Sequence, residues 1–296
     1  MEQWAGTVLA KQRRVLSPAM SSIKSILLHV DNSPRVAARL RVANELARQH
    51  GARVTALFAV TPLFVPDPYA FEEVAAASAQ APSLDAQREE RARNLFLMTR
   101  GESMPNVTWA EVTREPVLEA FVHQALHADL LVLGQHESRR TTQGVPAHFP
   151  EAVLMASGKP ALIIPRIGNA SVTPHTVLVA WKPSKEAARA VSAALPFLRG
   201  AQRVHVAQWA RDSGGDGASG LDIEQYLHAH GVQPTMHRHA GEPGDLGERL
   251  LSLATTVGAE LLVMGCYGHA RTRELVLGGV TRTVLKSMNV PVLMAH

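Results

Sequence analysis

The chain holds a single cysteine, Cys266, among 296 residues. One thiol excludes an internal disulfide and a Cys-x-x-Cys redox pair, and it fits a reducing compartment. Aromatic residues are scarce, at 5% of the chain, and the basic residues are scattered, with no basic stripe interleaved with aromatics. Nucleic acid is therefore not the expected partner. No run reaches the roughly 18 to 20 apolar residues that cross a bilayer, so neither a transmembrane helix nor a membrane partner is expected. Residues 1–21 carry an apolar run too short for a signal core, with basic residues after it instead of before it. They read as an N-terminal extension ahead of a second candidate start near Met20, and cytoplasm is the expected location. A Gly-x-Ser-x-Gly elbow is also missing, which leaves nucleophilic catalysis without its usual strand-to-helix turn.

What the chain does contain is a globular composition, 46% apolar and 19% charged with a net charge of +4, and an internal repeat. Ile26 to Ser33 aligns with Val177 to Ser184 at an offset of 151 residues. Both are short, β-rich apolar runs that end in turn residues, the mark of buried strands. Each precedes a helix with apolar positions at i, i+4, i+7 and i+11: Val36, Leu40, Ala43 and Ala47, then Ala187, Val191, Ala194 and Leu198. Further on, Asp129 to Gly134 aligns with Glu260 to Gly265, and Lys159 to Ile164 with Val290 to Ala295, at an offset of 131. The smaller offset places an extra 20 or so residues in the first half, in a Pro-rich loop over residues 61–68 and a polar helix over 71–100. Glu115-Pro116 and Glu242-Pro243 predict equivalent helix starts with proline in the first turn. Alternating strands and helices imply two doubly wound α/β units in tandem, each a five-stranded parallel sheet, over residues 22–166 and 175–296. Pro160 and Pro291 open the two last strands, whose apolar edges predict that they cover each other.

In such sheets ligands bind beyond the carboxyl ends of the strands, where the strand order switches. After the fourth strand of the second half come Gly265-Cys266-Tyr267-Gly268, nine residues, and then Gly278-Gly279-Val280-Thr281 opening a helix. Glycines there let backbone N–H groups approach an anion without Cβ obstruction, and the helix N-terminus adds partial positive charge. His269, Arg271 and Arg273 lie between, either as phosphate partners or as a solvated turn. Cys266 reads as an activated thiol or as a small residue filling a turn. His237 and His239 share one strand face without a carboxylate or thiolate at metal spacing, so no metal site is expected.

This pattern resembles the universal stress protein family, whose motif is Gly, two residues, Gly, nine residues, Gly, then Ser or Thr. Gly265, Gly268 and Gly278 match, Gly279 replaces the hydroxyl residue, and Thr281 is the nearest hydroxyl. The resemblance implies flavodoxin-like domains of the adenine nucleotide alpha-hydrolase-like kind, a role in stress response, and dimerisation through the last strand, within the chain or between two chains. It also implies ATP or another adenine nucleotide, with or without Mg, in some members and no nucleotide in others. An Asp after the first strand faces adenosine in the nucleotide-binding members; Asp31 matches it, but Lys182 stands there in the second half. Lys182 is either a substitute cation or a sign of a decayed site. In the first half Glu137, Ala147, His148 and Pro150 replace the phosphate-loop residues. The expected nucleotide site therefore comprises Lys182, Gly265, Gly268, His269, Arg271, Gly278, Gly279, Val280 and Thr281. The alternative is an interaction protein with both sites vestigial, and slow ATP hydrolysis has only Glu274 in that loop to draw on as a base.

Overall fold

The computed structural model describes residues 23–62, 81–112, 116–135, 144–146, 148–168, 170–210, 222–240, 245–266 and 279–296. The first half runs β1 (Ser25–Val30), α1 (Val36–His50), β2 (Arg53–Ala59), α2 (Ala81–Arg100), β3 (Val107–Val112), α3 (Val117–Ala125), β4 (Leu130–Gly134), α4 (Phe149–Ser157) and β5 (Ala161–Ile164). The second runs β6 (Thr176–Trp181), α5 (Lys185–Gly200), β7 (Arg203–Ala210), α6 (Ile223–Ala229), β8 (Pro234–Ala240), α7 (Leu246–Val257), β9 (Leu261–Gly265), α8 (Gly279–Ser287) and β10 (Val292–Ala295).

The strands form one ten-stranded sheet in the order β3-β2-β1-β4-β5-β10-β9-β6-β7-β8. Every pairing is parallel except the central one, where β5 and β10 run antiparallel with Leu162 opposite Leu293. Both strands are buried throughout. Two edges that would otherwise template aggregation thus close on each other, which is how the two five-stranded units become one body. The helices cover both faces. One core packs the buried sides of α1 and α5, Val36, Leu40, Ala43 and Ala47 with Val191, Ala194 and Leu198, against one side of the strands. The other packs Phe121, Val153, Leu154, Leu250 and Val284 against the opposite side. Strands buried on both faces explain why β1, β4, β6 and β9 are nearly continuous apolar runs.

The repeat extends to polar anchors. The Asp129 carboxylate accepts hydrogen bonds from the Lys24 and Ser25 backbone N–H groups at 2.8 and 2.9 Å, and Glu260 accepts one from the His175 N–H at 2.8 Å. One local expectation is corrected: Pro116 is the N-cap of α3, with ψ of 135°, and not part of its first turn. An N-cap is non-helical by definition and proline serves it without losing a needed donor. Helix α7 begins at Leu246 after the N-cap Asp245, and Glu242-Pro243 lies outside the described residues, as do the N-terminal extension, residues 63–68 of the Pro-rich loop and residues 71–80 of the expected polar helix. Arg88, Ala92 and Phe96 form the buried stripe of α2.

Candidate functional site

The strand order switches between β1 and β4 in the first half and between β6 and β9 in the second, so each half opens one crevice at the carboxyl ends of that pair. In the first, β1 delivers His29 and Asp31. Both are buried, as is Arg39 from α1. Arg39 Nη2 donates to Asp31 Oδ1 at 2.6 Å, and the Ser33 backbone N–H donates to the same oxygen at 2.8 Å. Burial alone would raise the Asp31 pKa, but the Arg39 guanidinium and the Ser33 N–H hold it below the ordinary carboxylate value. The other end of the guanidinium lies over Gly134, at the end of β4, where a Cβ would collide with it. His29 donates from Nε2 to the Ala59 carbonyl at 2.9 Å and packs against Phe149 and Phe121 at ring separations of 4.5 and 5.4 Å. Burial pushes its pKa down to about 4, so the ring is neutral at pH 7. The remaining cleft is about 40 Å³, room for a few waters.

The second crevice inverts this chemistry. Lys182 stands exposed just after β6, Ala190 replaces Arg39, and the carboxylate comes from the helix as Glu186, 4% exposed. Burial raises the Glu186 pKa, yet its own backbone N–H, Ser184, Lys185 and His296 bring it below the usual value. Ser184 caps α5 by accepting the Ala187 N–H at 3.2 Å. Gly265 ends β9 against this same turn. A Cβ there would sit 2.5 Å from the Ala187 nitrogen and 2.7 Å from the Glu186 carbonyl carbon, so helix and strand close to contact only because residue 265 is glycine.

Of the sequence-predicted residues, Lys182 and Gly265 thus lie at the ends of adjacent strands, and Gly279, Val280 and Thr281 open α8. Gly279 is exposed, with nothing within 4 Å of where a Cβ would be. Thr281 is 3% exposed. Gly268, His269, Arg271 and Gly278 lie outside the described residues, as do Glu137 and Ala147 in the first half. His148 takes a left-handed φ of 65° at the N-cap of α4, and Pro150 is buried in its first turn. The Cys266 thiol is buried and donates to the Ala295 carbonyl at 3.3 Å. Burial and then the Glu186 charge push its pKa up to about 12, which removes the activated-thiol reading. His237 pairs with His205 of the neighbouring strand at 2.9 Å, and among the described residues no group of three or more His, Cys, Asp or Glu side chains is placed to hold a metal ion. Among the described residues no helix is long and apolar enough to cross a membrane.

Sequence reasoning missed Arg39 and Gln135. Arg39 was signalled by a charge at i+3 from Val36, inside the apolar stripe of α1. Gln135 lines the first cleft and reaches into the other half, where its Nε2 donates to the Leu285 and Lys286 carbonyls at 2.8 and 3.1 Å, while its Oε1 accepts the Arg166 N–H at 2.7 Å. It satisfies carbonyls at the C-terminal end of α8 that the helix leaves open.

Two flavodoxin-like units fused through their last strands, each with its crevice at the β1/β4-type switch, define a tandem doubly wound α/β protein. The model of the Universal stress protein family matches residues 22–165 and again 174–296, and the chain belongs to that family. A universal stress protein of Methanocaldococcus jannaschii is 37% identical over 46 residues, 16% of this chain and 28% of that protein's length. A universal stress protein structure from Archaeoglobus fulgidus superimposes over 92% of this chain and 95% of its own, with a TM-score of 0.62 at 18% identity. An Archaeoglobus fulgidus universal stress protein solved in complex with dAMP is 17% identical over 49% of this chain and 98% of its own, with a TM-score of 0.32.

Proposed function

We propose that this tandem universal stress protein binds ATP or a related adenine nucleotide in its second half alone. The carrying observation is that a buried ion pair occupies the first switch point, whereas Ala190 stands at the position of its guanidinium in the second. In the first half the Asp31–Arg39 pair fills the crevice, leaving about 40 Å³, far below the roughly 300 to 1,000 Å³ of ordinary small-molecule pockets. In the second half Ala190 stands where Arg39 fills the first crevice, the α5 turn at Glu186 and Ala187 packs directly onto Gly265, and Gly279 opens α8 with clear space beside it. Phosphates held by backbone N–H groups need glycines at these positions and the partial charge of a helix N-terminus. Lys182, at the Asp31 position, takes the role of a cation toward ribose or phosphate.

The burial of Thr281, the nearest hydroxyl of the motif, favours a second reading, an interaction protein that uses neither crevice. Mass spectrometry of protein purified quickly from cells at low salt separates the two. A stoichiometric adenine nucleotide that disappears in Gly268→Val supports the nucleotide reading. Protein free of nucleotide under several growth conditions, together with no retention of added ATP, contradicts it.

A further inference from the structure

The outer strands of the second half carry an imidazole pair that the first half lacks. In β7 and β8, His205 stands opposite Thr235 and Ala207 opposite His237, so the two histidines are diagonal neighbours on one face of the sheet. His205 Nδ1 and His237 Nε2 lie 2.9 Å apart. Their ring centroids are 5.1 Å apart, which puts the two nitrogens nearly on the line joining the rings. Both rings are half-buried. The register of the first half places Thr55 of β2 at the position of His205 and Ala110 of β3 at that of His237. Strand pairing in this fold therefore does not call for either histidine.

A hydrogen bond between two imidazoles has a strict proton requirement: one facing nitrogen donates and the other must stay unprotonated. With both rings neutral, or with one extra proton on an outward nitrogen, a single proton lies between the rings and the bond holds. With both rings charged, every nitrogen carries a proton and two N–H groups confront each other. Repulsion between the charges adds to that loss. Burial first, then the His237 and Arg203 charges, hold the His205 pKa below the ordinary histidine value, and no carboxylate acts against them. Helix α7, packed on this side of the sheet, carries Glu248 and Arg249, both exposed, and neither is among the charges that act on His205. The same face of β8 carries His239, stacked on Trp209 at 5.0 Å. Arg238 lies on the other face, where it pairs with Glu224 of α6 at 3.2 Å. Among the described strands β8 is the last of the sheet and pairs with β7 alone, so its attachment depends on this one neighbour.

We propose that the His205–His237 hydrogen bond is an acid-released latch, which fastens β8 to the sheet while the pair holds no more than one extra proton and lets that edge open once both rings are charged. The pair takes up its two protons in coupled steps, the second at lower pH than the first. Opening exposes unpaired strand backbone in the second half only, because Thr55 and Ala110 do not titrate.

The test is amide hydrogen exchange of the full chain at pH 7 and pH 5, with each rate divided by the intrinsic rate at that pH. Between the two conditions, protection of residues 234–240 should fall about tenfold more than that of residues 107–112. His205→Thr/His237→Ala, which installs the residues of the first half, should abolish this excess. Each single substitution should abolish it equally, because either one removes the shared proton. Acid destabilisation through His29 acts on the first half or on the whole chain and produces no excess at β8. Should the double variant fail to fold, His237→Ala alone decides. The proposal is overturned by equal losses of protection in the two edge strands, or by an excess at residues 234–240 that survives in the histidine variants.

Discussion

The two halves share a fold but order their charges oppositely. In the first, the carboxylate sits at the strand end as Asp31 and the cation on the helix as Arg39, 2.6 Å apart and buried. In the second, the cation sits at the strand end as Lys182 and the carboxylate on the helix as Glu186. A duplicated crevice therefore has two fates. Where the opposite charges lie across the switch point they fill it; where the carboxylate turns to its own helix N-terminus and Ala190 replaces the arginine, the helix turn packs directly onto Gly265 instead. Sequence identity between halves matters less than which element carries which charge.

The sharpest way to break the comparison is to remove one member of the pair. Arg39→Ala leaves the Asp31 carboxylate buried without its cation and should destabilise the chain by about 3 to 5 kcal/mol. Lys182→Ala, at the position matching Asp31, should change stability by no more than about 0.5 kcal/mol because the side chain is exposed. Urea denaturation of the two variants checks both, and equal losses would erase the asymmetry.

A pH series gives the next largest effect. His29 is neutral in the folded state down to about pH 4, whereas an unfolded histidine takes its proton near 6.5. Between these values the unfolded chain binds more protons, so the stability His29 contributes is complete above pH 6.5 and is lost as the pH falls toward 4, by about 3 kcal/mol in all. The second half has Ala180 at the matching position. In His29→Gln this part of the slope should vanish, and a slope unchanged by that substitution would show that the ring titrates normally.

Smaller effects follow from close approaches. Gly265→Ala forces a Cβ onto the backbone of Glu186 and Ala187, and overpacking of this kind costs about 1 to 3 kcal/mol. Gly279→Ala, with open space around it, should be neutral or slightly stabilising by calorimetric melting. Gln135→Ala removes the hydrogen bonds that tie the first crevice to the end of α8. A loss of about 1 kcal/mol is expected, and faster amide exchange confined to residues 279–288 would locate it there; exchange raised evenly over the whole chain would speak against a local tie.

Much of this architecture was legible in the sequence because duplication repeats its strand runs and helix stripes at fixed offsets. The burial of Val36, Leu40, Ala43 and Ala47, and of their counterparts in α5, follows from helical periodicity. The pairing of β5 with β10 follows from two apolar edges that need cover. Arg39 escaped notice because a stripe read by its apolar members passes over a charge set among them, and only the partner at the end of β1 shows why it is there. The His205–His237 contact depends on the register of β7 and β8, with Ala207 opposite His237, which no local pattern encodes. Gln135 acts across the junction between the halves, where spacing along the chain says nothing about distance.

The division of labour between the halves is tested most directly by calorimetric titration of Mg-ATP into the intact chain. The account predicts one site per chain, abolished in Gly268→Val and retained with unchanged affinity in Arg35→Gln/Arg166→Gln. Two equivalent sites, or ATP binding lost in the first-half variant and kept in the second, would contradict it.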